Sequence, residues 1–268
     1  MEKKSPVLGT NGFPLQDVAV YGPIHSRRYG YSLGINPLPV TYKFCDFDCV
    51  YCQYGWSPRP GNSAKKTSEK LKPLSKLLQE IEVSFQKFVR EKTPVDVMTI
   101  AGNGEPTLYP EFLKFLTRLL ELRDRYFPNV RIGILSDSSQ CHRPEIKKAL
   151  ELLDERSMKL DAGDPKTIEE INKPTGGFDL ARTLEALKHL RGITIQAIFV
   201  QGSCNNTKPE QIDRWIKAVQ SVKPKAVQVY TIDRPPADSK IEAVPKVRLH
   251  EIAGLCQART GILTEVFD

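Results

Sequence analysis

Three cysteines lie within eight residues of one another in the stretch KFCDFDCVYCQYG, which spans residues 43–55. Three residues separate Cys45 from Cys49, and two separate Cys49 from Cys52. A structural zinc site normally takes four protein ligands, and the nearest histidine, His25, is 20 residues upstream of Cys45. A cluster of four irons takes one thiolate per iron, so three cysteines leave one iron free to bind another molecule. The alternatives are part of a zinc site or three unrelated core cysteines.

A second segment, AGNGEPTL at residues 101–108, follows an apolar, β-branched run that predicts a buried strand at 95–102. Gly102 and Gly104 permit the backbone to approach a ligand closely. The Glu105 carboxylate is suited to a charge-assisted contact with a positively charged group. On its own, the segment is also typical of an ordinary strand-to-helix turn.

The cysteine spacing, with Tyr51 directly before the last cysteine, resembles the signature of the radical S-adenosylmethionine (SAM) superfamily. The resemblance implies a [4Fe–4S] cluster on Cys45, Cys49 and Cys52, whose open iron binds the amino and carboxylate groups of SAM. It also implies that an electron from the cluster cleaves SAM to a 5′-deoxyadenosyl radical, which removes hydrogen from a substrate. The Gly-Asn-Gly-Glu segment resembles the Gly-Gly-Glu segment of the superfamily, in which backbone carbonyls and the glutamate, here Glu105, bind the SAM amino group.

Three further residues are candidate SAM contacts. Asp161, at the end of a predicted strand, is a candidate for binding the ribose hydroxyls, as acidic residues do in dinucleotide sites. The alternative for Asp161 is an N-cap or turn residue. Ser138 follows another predicted strand and is a candidate for the SAM carboxylate or ribose, with turn chemistry as the alternative. Tyr51 is a candidate for contact with the adenine.

Three longer stretches extend the resemblance to one group, namely YGPIHSRRYGYSLGINPLP, KLDAGDPKTIEEINKP and VQVYTIDRPP. They look like stand-alone bacterial and archaeal radical SAM proteins related to the wyosine-pathway enzyme, 4-demethylwyosine synthase, which builds a tricyclic base in tRNA. The match covers roughly residues 18–240. The wyosine enzyme carries three further cysteines ahead of its SAM motif, whereas residues 1–44 here contain none. The resemblance implies a substrate that is tRNA or another anionic molecule.

Basic residues at the expected rim are candidate substrate contacts. Arg27 and Arg28 lie in the segment HSRR, upstream of the first predicted strand, and Arg234 follows the sixth. Arginine suits bidentate binding of phosphate or carboxylate, and a solvated charged turn is the alternative. Lys159 shares a strand face with Asp161. It is therefore either a partner in a structural ion pair or, as the resemblance implies, a Schiff-base amine.

The other three cysteines lie far along the chain from the cysteine motif. Cys141 and Cys204 follow predicted strands, so both are candidates for the rim, as a hydrogen donor or a partial second cluster. The alternative is that both are unreactive thiols, because reactivity needs an accessible, electropositive setting. Cys256 lies in a predicted helix and is expected in the core.

Predicted strands and helices alternate along the chain. We expect strands at 31–38, 95–102, 130–137, 157–163, 193–202 and 226–233, with an edge strand at 261–267. We expect helices at 68–92, 110–127, 143–155, 165–172, 178–192, 208–222 and 244–260. Such alternation predicts βαβ units and a parallel sheet. A closed eight-fold barrel typically needs about 250 residues, so six repeats predict an α/β fold that is an open, partial (β/α)6 barrel. The loops at the carboxyl ends of the strands are expected to meet at one rim.

Bulk composition is that of an ordinary soluble protein, with 40% hydrophobic and 26% charged residues among 268. The sequence has no run of 18 apolar residues and no apolar stretch after its N-terminal lysines, so a cytoplasmic location without a membrane anchor is expected. Six cysteines in such a chain favour metal binding or catalysis over disulfides. The net charge of +7, from 39 basic and 32 acidic residues, is compatible with a polyanionic partner.

The sequence therefore predicts a radical SAM enzyme that receives electrons from a donor such as flavodoxin or ferredoxin. We expect one domain over residues 1–268, with an extension at 1–30, the barrel core at 31–240 and a C-terminal helix and edge strand at 241–268. One alternative is an activase that places a glycyl radical on a partner protein, which predicts extra ferredoxin-like cysteines that this sequence lacks. An alternative from another class is a non-catalytic, zinc-bound RNA-binding module.

Overall fold

The computed structural model describes residues 6–26, 30–57 and 71–267. Eight strands form the main sheet, and in spatial order they are β1 (Val20–Ser26), β2 (Gly30–Ile35), β3 (Val97–Ile100), β4 (Arg131–Ser136), β5 (Glu155–Lys159), β6 (Thr194–Ile198), β8 (Ala226–Tyr230) and β10 (Thr264–Phe267). Two further strands, β7 (Val200–Gly202) and β9 (Ile241–Ala243), form a separate antiparallel pair.

Strands β2 to β6, β8 and β10 run parallel to one another. Strand β1 pairs antiparallel with β2, and β1 and β10 are the two edges of a sheet that does not close. The prediction of an open, mostly parallel partial barrel is confirmed, including the edge strand near the C-terminus. Strand β1 was not predicted, because the glycine and proline in its sequence VYGPIHS are residues that strands disfavour except at edges.

The helices lie close to their predicted positions. They are α1 (Leu74–Arg90), α2 (Phe112–Tyr126), α3 (Pro144–Glu151), α4 (Pro165–Ile171), α5 (Leu180–Lys188), α6 (Pro209–Val222) and α7 (Lys246–Thr260). The predicted helix at 143–155 is too long, because strand β5 already begins at Glu155. The first residues of the predicted helix at 68–92 lie outside the described residues. No helix in the described part of the chain combines the length and apolarity that crossing a bilayer requires.

The two faces of the sheet differ in polarity. Leu33, Met98 and Ile100 are fully buried in the main hydrophobic core, in which α1 buries Leu77, Ile81 and Phe85 at helical spacing. Polar residues occur on the other face, where Gln196 on β6 donates a hydrogen bond of 2.9 Å to its register partner Gln228 on β8. The polar interior of the barrel therefore leads towards a site at the ends of the strands, while the apolar face binds the helices.

Candidate functional site

A cavity of about 430 Å³ opens at the carboxyl ends of the parallel strands. Its walls come from the cysteine loop, the Gly-Asn-Gly-Glu turn after β3 and the ends of β6 and β8. The residues that line it include Lys43, Cys45, Cys49, Tyr51, Cys52, Gln53, Gly102, Gly104, Leu135, Gln196, Ile198, Tyr230 and Arg234. Loops from distant parts of the sequence thus share one cavity, at the rim where the sequence analysis expected them.

Val50, which lies between the second and third cysteines, anchors the cysteine loop. Its side chain is fully buried in a small apolar cluster that also contains Ile171. Its N–H donates to the Ile171 carbonyl at 2.9 Å, and its carbonyl accepts from the Asp238 N–H at 2.9 Å. Because the side chain and both backbone groups of Val50 are held, the flanking Cys49 and Cys52 have fixed positions.

All three thiols of the loop are free and line the same cavity. The Asn172 side-chain amide donates to the Cys49 Sγ at 3.5 Å, and the Cys45 thiol donates to the Asp137 carboxylate at 3.5 Å. Burial raises the pKa of Cys49 to about 12, against the opposing effect of the nearby Lys43 ammonium. Burial alone therefore disfavours the thiolate, and a bound metal would supply the positive charge that stabilises it.

Lys43 and Asn172 are site residues that the sequence analysis missed. Lys43 is 2% exposed, and its ammonium donates to Asp48 Oδ1 at 3.0 Å and to the Gly55 carbonyl at 3.2 Å. Burial opposes the charge of Lys43, but the cysteines and Asp48 outweigh burial and raise its pKa. The clue to Lys43 was its place in the cysteine stretch itself, whereas no spacing in the sequence points to Asn172.

A group of acidic side chains beside Cys45 was also not predicted. Ligand-type atoms of Cys45, Asp46 and Asp137 lie within 4.8 Å of one another. Burial raises the pKa of Asp137 well above its usual range, and the neighbouring Asp46 and Glu105 raise it further. The physical cause is the cost of ionising a buried carboxyl group beside other carboxylates, and the same carboxyl group accepts the hydrogen bond from the Cys45 thiol.

Gly104, in the turn after β3, is required by the protein's own backbone. Gly104 has a φ of +142°, and a Cβ added there would lie 1.8 Å from the Phe44 carbonyl oxygen. The Glu105 N–H donates to that same oxygen at 3.0 Å, and the Phe44 N–H donates to the Asn103 carbonyl at 2.7 Å. The turn is thus paired with the residue directly before Cys45. The sequence analysis expected the backbone to approach a ligand closely here. In the structure, the backbone of this turn approaches the Phe44 carbonyl and so positions the cysteine loop.

Glu105 is held by hydrogen-bond donors of the protein itself, and its expected contact with the SAM amino group stays a prediction. Its side chain is fully enclosed, and it accepts hydrogen bonds from the Thr107 N–H and hydroxyl, from the Ser136 hydroxyl at 3.0 Å and from the Asp137 N–H at 2.6 Å. Burial raises the pKa of Glu105, although these hydrogen bonds act in the opposite direction. The carboxylate therefore ties the turn after β3 to the loop after β4, and it does not line the cavity.

Asp161 is likewise engaged by the protein, and its expected contact with the SAM ribose stays a prediction. Its Oδ1 accepts from the Ile198 N–H at 2.9 Å, and its Oδ2 accepts from the Tyr51 hydroxyl at 2.5 Å and the Asn172 amide at 2.7 Å. The Lys159 ammonium lies 2.7 Å from Oδ1. Both carboxylate oxygens have protein partners, so Asp161 is the centre of a network that reaches Cys49 through Asn172.

Lys159 forms the ion pair that was one of its two expected roles. Its ammonium also donates to the Tyr230 hydroxyl at 2.9 Å and lies 5.0 Å and 4.8 Å from the ring centres of Tyr51 and Tyr230. Burial lowers the pKa of Lys159, but Asp161 and Tyr230 outweigh burial and raise it. The Tyr51 ring lines the cavity while its hydroxyl points to Asp161, so its orientation is set by this network.

Ser138, expected to contact SAM, has turned away from the cavity. It is fully buried with a φ of +72°, its hydroxyl donates to the Lys159 carbonyl at 2.9 Å, and its N–H donates to the Ser136 hydroxyl at 3.1 Å. Turn chemistry, the alternative stated above, is what the structure shows. Ser138 links the loop after β4 to the end of β5.

The candidate substrate residues fall into different environments. Arg234 is exposed at the mouth of the cavity and donates to the Gln53 side chain at 2.5 Å. Arg27 and Arg28 lie outside the described residues. Cys141, expected at the rim, is 1% exposed in the main core because its side chain turns under α5, 4.0 Å from the Thr183 carbonyl.

Cys204 packs beside the small apolar cluster around Val50 and is not among the residues that line the cavity. Cys141 and Cys204 therefore lie against two different apolar clusters, and their role as a hydrogen donor or a partial second cluster stays a prediction. Cys256 is fully buried in the core, as expected for its helix.

An open, mostly parallel α/β barrel that carries a three-cysteine loop at its mouth defines a class of protein. The pattern of the radical SAM superfamily matches residues 40–207, and the chain belongs to this superfamily. Its members are enzymes that use a [4Fe–4S] cluster and S-adenosylmethionine.

Each match to a curated relative takes in a larger share of this chain than of the relative's own length. A UPF0026 protein of Helicobacter pylori is 32% identical over 230 residues, which are 81% of this chain and 67% of that protein. A protein of Brachyspira hyodysenteriae named GTPase Obg is 28% identical over 272 residues. That match takes in 99% of this chain but spans only 38% of the length of the Brachyspira protein.

Solved radical SAM structures share the fold. A radical SAM methyltransferase from Sphaerobacter thermophilus aligns with a TM-score of 0.66 at 11% identity, over 97% of this chain and 71% of that chain. SuiB of Streptococcus suis, bound to S-adenosylmethionine, aligns with a TM-score of 0.60 at 17% identity, over 88% and 50%. TYW1 with a lysine-pyruvate adduct aligns with a TM-score of 0.56 at 13% identity, over 87% and 76%. At these identities the likeness shows the fold alone.

Proposed function

We propose that this chain is a radical SAM enzyme that binds one [4Fe–4S] cluster through Cys45, Cys49 and Cys52 and binds SAM in the adjoining cavity. One observation carries the proposal, namely that these three thiols line a single cavity of about 430 Å³ together with the backbone of the glycine turn. We also propose that residues 1–268 form one radical SAM domain, since β1 and β10 belong to the same sheet.

The donor set of the cavity fits a cluster with one open iron. No histidine and no fourth cysteine is found among the described residues that line it. Each thiolate of a four-iron cluster binds a different iron, so the three sulfurs need not converge on one point as the ligands of a single zinc ion do. The Asn172 amide, directed at the Cys49 sulfur, and the enclosed Lys43 ammonium both suit negatively charged thiolates.

A cluster held by Cys45, Cys49 and Cys52 would supply the single electron that the reductive cleavage of SAM requires. The protein orients the participants. Gly102 and Gly104 present backbone beside the cysteines, and Tyr51 lines the cavity with its hydroxyl held by Asp161. Leu135, Ile198 and Ile232 line the cavity with apolar surface and reduce the access of water.

We propose further that the substrate is anionic and that tRNA is the first class to test, in line with the resemblance to the wyosine-pathway group. A net charge of +7 and the exposed Arg234 guanidinium at the mouth of the cavity support an anionic substrate. We propose a low-potential one-electron donor such as flavodoxin or ferredoxin as the physiological reductant.

The test is reductive cleavage of SAM by protein purified without oxygen. The proposal predicts a brown protein that contains iron and sulfide and little zinc, and that forms 5′-deoxyadenosine from SAM when dithionite is added. Cys49→Ala is expected to lose both iron and product formation, while the control Cys204→Ala, outside the cavity, is expected to retain both. A colourless, zinc-containing wild-type protein would instead support the RNA-binding alternative.

A second assay tests the substrate class. Bulk tRNA is expected to increase the yield of 5′-deoxyadenosine, whereas the same tRNA digested with ribonuclease is not. Cleavage of SAM that is equal with intact tRNA, with digested tRNA and without RNA would contradict the tRNA proposal and leave the assignment to radical SAM chemistry intact.

A further inference from the structure

A charged lysine is enclosed by the cysteine loop. Lys43 precedes the first cysteine by two residues, is 2% exposed and lines the same cavity as the three thiols. Lysine is almost never fully buried unless it is paired, because removing an ammonium from water is costly. Its burial here therefore calls for negative charge close by.

The contacts of Lys43 close the loop around it. The ammonium donates to Asp48 Oδ1 at 3.0 Å, between the first and second cysteines, and to the Gly55 carbonyl at 3.2 Å, after the third. Asp48 is itself fixed, since its Oδ1 also accepts from the Ser57 N–H at 2.7 Å. One side chain thus joins the beginning, the middle and the end of the cysteine loop.

Once the three cysteines are ionised, the negative charge around Lys43 exceeds that of the Asp48 carboxylate. The Asp48 carboxylate, 3.0 Å away, keeps the Lys43 side chain protonated and contributes one negative charge. A four-iron cluster held by three thiolates carries one net negative charge when oxidised and two after it accepts one electron. In a buried site, a neighbouring cation favours the more negatively charged oxidation state of the cluster, which is the reduced state.

We propose that Lys43 is a fixed countercharge for the iron–sulfur cluster, which raises the potential at which the cluster accepts its electron. The electron comes from an external low-potential donor, which is oxidised by one electron, and no proton is transferred. This inference rests on the proposed function. It assigns Lys43 a positioning and tuning role, without contact with a reacting atom.

The test is a redox titration of the reconstituted full chain without SAM, followed by electron paramagnetic resonance. Lys43→Met keeps most of the side-chain volume and removes the charge. We expect at least a tenfold lower ratio of reduced to oxidised cluster at a given solution potential, which corresponds to a negative shift of about 59 mV for one electron. Lys43→Arg, which keeps the charge, is expected to lie closer to wild type than Lys43→Met.

Lys225→Met is the matched control. Lys225 pairs with Glu155 at the amino ends of β8 and β5, at the opposite end of the strands from the cavity, so the same loss of net charge is expected to leave the potential unchanged. A Lys43→Met protein that binds its cluster at the wild-type potential would overturn the inference.

A second variant keeps the inference testable if Lys43→Met retains no iron. Asp48→Asn removes the carboxylate and leaves the ammonium in the loop, so we expect the potential to move in the positive direction. An unchanged potential in Asp48→Asn would also overturn the inference. Wild-type protein that binds no iron at all would refute the proposed function itself, which is a distinguishable result.

Discussion

The Tyr51 hydroxyl donates a hydrogen bond of 2.5 Å to the Asp161 carboxylate, and this contact joins the cysteine loop to the end of β5 across 110 positions of sequence. The same carboxylate is paired with the Lys159 ammonium at 2.7 Å. Asp161 therefore holds two walls of the cavity together. A residue that the sequence suggested as a ligand contact is used to keep the ligand site in shape.

Replacing Asp161 is expected to destabilise the apoprotein strongly. Asp161→Asn leaves the half-buried Lys159 ammonium without its carboxylate, and we expect a cost towards the lower end of the range of about 3–5 kcal/mol that is typical of breaking a buried pair. Tyr51→Phe removes one hydrogen bond and is expected to cost about 1 kcal/mol. Chemical denaturation measures both. Asp124→Asn, on an exposed side chain, is the control and is expected to match wild type. Equal stability of Asp161→Asn and wild type would contradict the role of the network.

Glu105→Gln distinguishes a structural role from a SAM-binding role. The wild-type carboxylate accepts from four donors, and an amide nitrogen in its place faces at least one of them without an acceptor. We expect a loss of about 1–3 kcal/mol in the unfolding free energy of the apoprotein. Glu185→Gln makes the same chemical change on the surface, where it weakens an exposed pair with Lys188, and is expected to cost far less than Glu105→Gln. If Glu105 served only to bind SAM, apoprotein stability would not change.

Gly104→Ala is expected to displace the cysteine loop. The added methyl would lie 1.8 Å from the Phe44 carbonyl oxygen, at a φ that side chains rarely adopt. We expect a loss of about 2 kcal/mol or more in the unfolding free energy, together with reduced iron content. Gly254→Ala is the matched control, because its Cβ meets nothing within 4 Å in α7. That change is expected to stabilise the protein by about 0.5–1 kcal/mol. Wild-type iron content in Gly104→Ala would be the contrary result.

Thiol labelling of the apoprotein at different pH values tests the environments of the remaining cysteines. Burial raises the pKa of Cys141 to about 12, with a further contribution from Asp137 and Glu105. At pH 8 about one thiol in ten thousand is then the reactive thiolate, against about one in four for an ordinary cysteine.

Labelling of Cys141 by iodoacetamide is expected to be far slower than that of the partly exposed Cys204, and to increase about tenfold per pH unit between pH 8 and pH 10. Peptide mass spectrometry identifies the labelled site, and unfolding the protein should abolish the difference. Rapid labelling of Cys141 in the native protein at pH 8 would show that this thiol is accessible.

The sequence was informative about which segments meet and much less about where their side chains point. Parallel strands bring their carboxyl ends to one rim, so the sequence alone predicts that the cysteines and the glycine turn share a cavity. Their role as ligands stays a prediction. The direction of a side chain after a strand depends on the turn, and the positive φ of Ser138 directs its hydroxyl to a backbone carbonyl.

Hydrogen-bond and ion-pair partners that come from distant elements could not be predicted either, because they depend on where the side chains point after folding. Asn172 ends α4 with no motif around it, yet its amide reaches Cys49 and Asp161. Lys43 and Asp48 were visible within the cysteine stretch as opposite charges, but only the folded loop shows that they are paired and enclosed. Contacts between segments that are remote in sequence have no local periodicity to reveal them.

The Asn11 side chain bridges two strand-end loops of a sheet that has free edges. Its amide donates to the carbonyls of Gln53, Pro235 and Pro236, at 2.9, 2.9 and 3.3 Å. Arg234 donates to the Gln53 side chain and the Asp238 N–H donates to the Val50 carbonyl, so further hydrogen bonds join the same two loops. Separating the two loops would break all of these hydrogen bonds together, at about 1 kcal/mol each, so the mouth of the cavity is held at its present width.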